Sequence, residues 1–600
     1  MTAPTFGGDD PRADAHAHSR ARRQVVFALL YLRRRIRASE LWLIVIAAGV
    51  GTVAGLATLT TSFLARRFQI ALYGLSHTER LSSVHGLNPW TLLTLPAGGL
   101  LLGVLTRLWM RRRPRPIVDP VEANALRGGR MSARDSLFLG VQSVVSNGFG
   151  ASVGLEAAYA QLGAAAASVT GGLLNLRRSD LRAFVGAGAG AGIAAAFGAP
   201  LTGAFYAFEI IIGSYTIANI APVVAAALAG ALVAKVFDVD AMVIHASVTD
   251  ALTLTHYLIF AGLGIICALF GIGVMRMVAL TEKGASRLPV PAWVRPAIGG
   301  ALLALIAWRA PQTLSAGHGA MRMDFGLELA AGTLALLILS KAAASVVALG
   351  FGFRGGLFFA SLYLGSLVGR LYILTLYAAG LDIGIDPMAG ALVGMGAMAV
   401  AIIGGPFTMT FLVLETTGDF ALTAATLTAS IVASVLVREV FGYSFSTWRL
   451  HLRGETIRSA HDVGWLRTLT AGRMMRTGAA TIPADATLDV FCRQFPLGST
   501  RRVVALDPEG RYAGIVPVAA VYAYHDNEGT AGQFAVNVAN RLTPEMNIKV
   551  IMSEFDRTES DELAVVDQDG RMMGIVSEAY ATRRYAEELE RARRDLVGGE

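Results

Sequence analysis

Apolar segments fill residues 41–450, and glycine and proline break them at matching places in two halves of the chain. This pattern constrains the fold more than any other feature. The segments run over residues 41–64, 89–109, 134–148, 155–173, 181–197, 201–213, 217–236, 254–281, 290–309, 328–350, 357–379, 388–403, 406–416 and 421–441. Some reach the ~20 residues that cross a bilayer, and others fall below ~17. A broken helix at membrane depth is tolerated only where its open backbone faces protein or a water-filled cavity. The breaks repeat. Pro200-Leu201-Thr202, followed after six residues by Glu209, returns as Pro406-Phe407-Thr408 and Glu415, an offset of 206 that also relates Gly188 to Gly394 and Gly190 to Gly396. Gly154-Leu155-Glu156-Ala157-Ala158 matches Gly356-Leu357-Phe358-Phe359-Ala360 at an offset of 202. Interrupted helices in corresponding places of two halves point to a transporter site between the repeats.

Composition agrees. Hydrophobic residues are 54% of the chain, 66 of the 600 residues are glycine, and only 16% are charged. Disordered, nucleic-acid-binding and disulfide-scaffold classes are poorly matched. The net charge of +8 is mostly arginine beside apolar spans, which reads as membrane topology. Residues 1–40 form a basic segment with eight arginines, and Arg111-Arg112-Arg113-Pro114-Arg115 closes the second span. An out-and-back pair between two basic clusters places the N-terminus and the arginine cluster in the cytoplasm, and the C-terminus is expected there too. The 41–64 run is too long for a cleavable signal. The two cysteines, Cys267 and Cys492, lie in unlike surroundings and predict no disulfide. No catalytic or metal-binding constellation is present, so the chain is not expected to be an enzyme.

Carboxylates inside a membrane are functional hypotheses by default. Glu156 follows a glycine-rich break and begins a segment of small residues. That position predicts a helix N-terminus, whose free N–H groups and dipole favour an anion. A carboxylate there fills an anion site until a mobile anion displaces it; the competing reading is a glutamate that only caps the helix. For Glu209 and Glu415 the duplicated position favours buried hydrogen bonding or charge anchoring over transport.

Residues 453–600 are charged and alternate short strand-like runs with helical ones. Arg502–Leu506 and Tyr512–Val516 flank the turn Asp507-Pro508-Glu509-Gly510, and Glu562–Val566 and Met572–Val576 flank Asp567-Gln568-Asp569-Gly570. Two similar α/β modules are predicted. The end, Arg583–Leu596, reads as a charged solvated helix.

Across residues 40–452 the chain resembles the CLC family of chloride channels and chloride/proton antiporters. Gly154-Leu155-Glu156-Ala157-Ala158 looks like that family's G-[KR]-E-G-P motif, whose glutamate is the gate, and Gln161 and Gly163 continue the match. The stretch GAGAGAGIAAAFGAPLTGAFYAFE at 186–209 is close to the family's most typical sequence. Gly355-Gly356-Leu357-Phe358-Phe359-Ala360 resembles G-G-I-F-A-P, whose amides bind the central anion. The tail resembles a CBS pair, a module that joins neighbouring chains or senses adenine nucleotides. Neither Gly514-Ile515-Val516 nor Gly574-Ile575-Val576 is followed by the family's ribose-binding aspartate. The tail is therefore read mainly as a dimerisation and coupling module, and no cofactor is expected.

Three departures stand out. The family's G-S-G-I-P falls on Pro116-Ile117-Val118-Asp119-Pro120, so the anion-touching serine becomes Ile117. The pore tyrosine falls on Phe445, with Tyr443 the nearest hydroxyl. The inner proton glutamate of the antiporters aligns with Ile210, next to Glu209.

The expected fold is an all-α polytopic membrane protein, a CLC-like inverted repeat with broken helices at 41–452, joined to an α/β CBS pair at 453–600. The expected function is transport of chloride or another small monovalent anion. A passive channel gated by Glu156 is preferred to a proton antiporter and to a non-conducting membrane sensor that signals through the tail. The anion site is assigned to Gly154, Leu155, Gly356, Leu357 and Phe358, with Ile117, Phe445 and Tyr443 at the altered central positions and Glu209 the substitute on a proton path. The resemblance implies a homodimer with one pore per subunit. Membrane lipid is the other expected partner, nucleic acid is not, and composition points to a bacterial inner membrane.

Overall fold

The computed structural model describes residues 40–84, 86–238, 252–452, 469–524, 528–585 and 587. The basic N-terminal segment up to residue 39, residues 453–468 between the two regions and most of the charged terminal helix lie outside the described residues. The chain divides into two compact units, Met1–Asp462 and Val463–Glu600.

The first unit is helical. Seven of its helices are long and apolar enough to cross a membrane, among the described residues. Their outer faces keep Leu56, Phe63, Leu228, Leu269, Leu336 and Leu339 exposed, as lipid-facing spans require. The first helix, Glu40–Tyr73, runs 34 residues, well past the predicted end at Leu64 and through Arg66 and Arg67. At 1.5 Å per residue it is roughly 50 Å long, more than a hydrocarbon core needs. The other interruptions fall where the sequence places them. Helix Arg178–Phe197 stops at Gly198, whose φ of 65° forms a left-handed C-cap, and Pro200 opens the next helix. Asp119, Ser132, Asp386 and Asp419 cap their helices through side-chain oxygens.

The duplication is structural. Helices Glu156–Leu173 and Arg178–Phe197 cross so closely that a Cβ on Gly188 would lie 2.2 Å from the Gly163 carbonyl oxygen. In the second half, Phe358–Ala378 and Pro387–Ile403 cross the same way, a Cβ on Gly394 falling 2.4 Å from the Gly365 oxygen. Small residues at such crossings let membrane helices pack backbone to backbone. Between halves the contacts are reciprocal. A Cβ on Gly99 would meet the Pro296 oxygen at 2.2 Å, and one on Gly300 the Leu95 oxygen at 2.4 Å. Gly154 and Gly356 form an antiparallel bridge, each amide bonding the other's carbonyl at 2.9 and 3.0 Å. Two halves that contact each other by exchanging equivalent residues are related by a pseudo-two-fold axis.

The second unit holds two α/β modules. In the first, β1 (Thr481–Pro483) pairs parallel with β2 (Arg502–Leu506), which pairs antiparallel with β3 (Tyr512–Pro517). In the second, β4 (Glu562–Val566) pairs antiparallel with β5 (Met572–Ser577). Both hairpins turn where the Asp…Gly signals predict, with Gly510 and Gly570 at φ of 78° and 81°. Val504, Tyr512 and Ile515 of one module and Ala564, Val566 and Ile575 of the other share a core.

Candidate functional site

The site lies where the two broken ends of the halves meet. Helix Ala133–Gly148 ends, and the chain passes Gly150 (φ 90°) to reach Gly154. Glu156 is the first residue of its helix and only 3% exposed. The backbone amides that act on its carboxylate are its own and that of Phe359, in the first turn of helix Phe358–Ala378. The carboxylate of one half thus lies near the amide end of the other half's helix, where N–H groups and dipole favour an anion. Among the described residues its Oε2 has no hydrogen-bond partner. A Cβ on Gly154 would lie 1.9 Å from that oxygen, so only glycine leaves room for it.

This arrangement corrects part of the sequence assignment. The amides of Gly154 and Gly356 are used up by their mutual bridge and have none left for an anion. A helix offers its free N–H groups in its first turn, and the bridge lies just outside it. The amides of Leu357 and Phe358 are not part of this bridge, and the one that acts on the carboxylate is that of Phe359, the next residue.

A cavity of about 700 Å³ reaches Glu156 and Phe359 and is also lined by Arg66, Arg80, His318 and Arg322. The His318 ring stacks on Phe359, their centroids 3.4 Å apart. Glu79, in the loop at its rim, accepts the Ser76 amide at 3.1 Å, which with the Ser76 hydroxyl holds its carboxyl below the usual range. The ionisable lining of the cavity is mixed, with Arg66, Arg80 and Arg322 set against Glu79, Glu156 and Asp238.

Glu209 and Glu415 have a different task. Glu209 accepts the Phe407 amide at 3.1 Å, the Thr408 amide at 2.8 Å and the Thr408 hydroxyl at 2.7 Å. Glu415 accepts the Leu201 amide at 2.8 Å, the Thr202 amide at 2.8 Å and the Thr202 hydroxyl at 2.7 Å. Each Pro-x-Thr helix start is capped by the glutamate of the other half. The repeated spacing is therefore a reciprocal clamp. Both Glu209 oxygens are occupied, so a proton role would require the cap to break. Glu209 and Ile210 lie in a π-helical turn, Ala207–Ile212, and Ile210 packs against Gly404 and Gly405.

The altered central positions converge only partly. Helix Pro120–Leu126 packs against the π-turn and against helix Phe445–Leu452, and Asn124 Nδ2 donates to the Ile211 carbonyl at 3.0 Å. Ile117 lies half-buried just before the first of these helices and Phe445 is buried at the start of the last. Tyr443 is no replacement donor: its hydroxyl is 3.1 Å from His451 Nδ1 and its ring stacks there. Asp119 caps the Glu122 amide at 2.7 Å and so places a carboxylate at a helix end where an anion would otherwise bind.

Two residues escaped the sequence reading. Tyr206 rests on Phe358, with ring centroids 6.2 Å apart, within electrostatic reach of both Asp119 and Glu156. Lys341 is fully buried behind the Ser152–Gly154 loop. A lysine in the middle of the apolar 328–350 run is a legible signal, because intramembrane cations are as costly as carboxylates.

The family model described as "Voltage gated chloride channel" matches residues 98–438. The chain belongs to this family. It is an integral membrane protein of CLC-type anion transport. A ClcB-like chloride channel protein of Ralstonia nicotianae is 28% identical over 399 residues, covering 66% of this chain and 93% of the relative. The voltage-gated ClC-type chloride channel ClcB of Escherichia coli is 27% identical over 380 residues, covering 62% and 89%. Among solved structures, a slow cyanobacterial Cl⁻/H⁺ antiporter superposes with a TM-score of 0.60 at 22% identity, over 68% of this chain and 97% of that one. That likeness carries the fold. The family match ends before the α/β tail.

Proposed function

We propose that this CLC-family chain is a passive anion channel, with chloride the anion carried and Glu156 the gate. The observation that supports it most is the buried Glu156 carboxylate at the helix start where the two halves meet, with one oxygen unpaired among the described residues, where the cavity reaches it. A carboxylate that occupies an anion site competes with the anion. The passive reading rests on the inner side, where Glu209 is committed to its cap and Ile210 carries no proton. The protein works as a homodimer in a bacterial inner membrane, with cytoplasmic termini and one pore per subunit. Its tail is a CBS pair that couples chains without a nucleotide.

A second reading has one observation in its favour. Tyr206 is within electrostatic reach of both Asp119 and Glu156, and a proton relay would need such a hydroxyl near two carboxylates. Reconstitution in liposomes separates the readings. Under an imposed chloride gradient with the voltage held near zero, chloride should flow, potassium should be excluded and external pH should stay constant. Sustained uphill proton movement would overturn the channel, and its loss in Asp119→Asn would place the inner proton site there. No flux in any anion would leave the sensor reading.

For the tail, ATP and AMP titrated calorimetrically into the full protein should give no saturable heat. The positions after Val516 and Val576 offer Pro517 and Ser577 with no aspartate three residues on. A tight titration with either nucleotide would show a site that the missing aspartate does not control.

A further inference from the structure

Helix Ala331–Gly350 carries a single ionisable side chain, Lys341, near its middle. Lys341 is 0% exposed. Its Nζ donates to the Ser152 hydroxyl at 2.9 Å, the Thr313 carbonyl at 3.1 Å and the Ser315 carbonyl at 2.8 Å. An ammonium has three N–H donors, so every one is used, and every acceptor is neutral. Among the described residues no carboxylate pairs with it directly. The charge it acts on is that of Glu156, across the Ser152-Val153-Gly154-Leu155 loop. The gate's own helix brings no cation to the task, because the residue before Glu156 is the buried Leu155. The remaining groups around Glu156 are Tyr159 on its own helix, Tyr206 at the end of helix Pro200–Tyr206, and His318 over Phe359 with Arg80 and Arg322 in its field.

Hydrogen bonds to neutral groups do not balance a buried charge; a counter-charge does. With Glu156 seated on the Phe359 amide, Lys341 and Glu156 together are neutral. When Glu156 leaves its seat or takes a proton, the lysine loses its counter-charge, and an anion at the vacated amide restores neutrality. We propose that Lys341 is the fixed counter-charge of the gate site, balancing Glu156 when the gate is closed and the transported anion when it is open, and so setting anion affinity. This rests on the gate reading of Glu156. Lys341 does not touch the anion; it acts through the field in a low-dielectric interior, where a charge reaches further than in water.

The test is flux of the full chain in liposomes as a function of anion concentration. Lys341→Met and Lys341→Gln both remove the charge, and the glutamine retains a hydrogen-bond donor. Ser152→Ala removes one of the lysine's hydrogen bonds and leaves the charge. In both lysine variants the half-saturating chloride concentration should rise about tenfold or more, which is about 1.4 kcal/mol, with a smaller change in maximal flux. Ser152→Ala should stay close to wild type. A fall in maximal flux at unchanged half-saturation would make Lys341 a structural strut and overturn the proposal. So would the same rise in Ser152→Ala, or both lysine variants failing to fold while Ser152→Ala is stable. Repeating Lys341→Gln in a Glu156→Gln background separates the proposal from the gate. The rise should persist there, because the anion still needs the counter-charge. Wild-type gating in Glu156→Gln alone would remove the gate reading, whatever Lys341 does.

Discussion

Glu156→Gln and Glu156→Ala should raise anion flux at neutral pH about tenfold and flatten its dependence on pH. The wild-type carboxylate lies at a helix N-terminus, within reach of the Glu156 and Phe359 amides. Such a place favours an anion by up to about 2 kcal/mol, and about 1.4 kcal/mol corresponds to tenfold in occupancy. A neutral amide is held there more weakly, and alanine does not reach it. The pH arm follows from the same competition. Acid neutralises the wild-type carboxylate, ends its competition with the anion and raises flux, whereas the variants have nothing to titrate at that place. Stopped-flow anion efflux between pH 4 and 8 measures both arms. Wild-type flux with a wild-type pH response in both variants would return Glu156 to the role of a helix cap.

Removing either arm of the clamp should destabilise the membrane unit by about 2 kcal/mol or more, since each lost carboxylate strands the amide and hydroxyl of a buried threonine, at roughly 1–3 kcal/mol for each buried group left unpaired. Glu415→Ala exposes Leu201 and Thr202, and Glu209→Ala exposes Phe407 and Thr408. The glutamine variants should lose less, because an amide oxygen still accepts. Both caps hold the same helix pair, Pro200–Tyr206 and Pro406–Thr417, which pack on each other. The double variant should therefore lose less than the two single losses combined, as coupled neighbours do. Thermal unfolding in detergent, followed with the single and double variants, gives these values. A Glu209→Ala protein that unfolds like wild type but has lost proton movement would make Glu209 a proton site after all.

Much of the membrane unit was legible before any coordinates. The predicted segments 134–148, 155–173, 217–236, 388–403 and 421–441 become helices Ala133–Gly148, Glu156–Leu173, Ile217–Val236, Pro387–Ile403 and Phe420–Val440. Apolar length and Gly/Pro punctuation act locally, and locally they are strong in a chain whose backbone has no water to bond. Local signals were weaker at short elements. Helix His318–Phe325 was not foreseen, because its eight residues carry no periodic apolar face.

The sequence by itself determined the membrane class, the internal duplication and the place of Glu156 at a helix start, since each is written in residues close together or in an exact repeat. It also carried the family resemblance, which the match over residues 98–438 bears out. The tertiary structure decided what those residues contact. Only the pairing of the halves shows that Gly154 and Gly356 spend their amides on each other, that Glu209 and Glu415 cap helices some two hundred residues away, and that the Phe359 amide acts on Glu156. Only packing brings Lys341 behind a loop from the opposite half. The reason is physical: a helix start announces free N–H groups in one dimension, but which carboxylate, carbonyl or anion satisfies them depends on what folding brings within 3 Å.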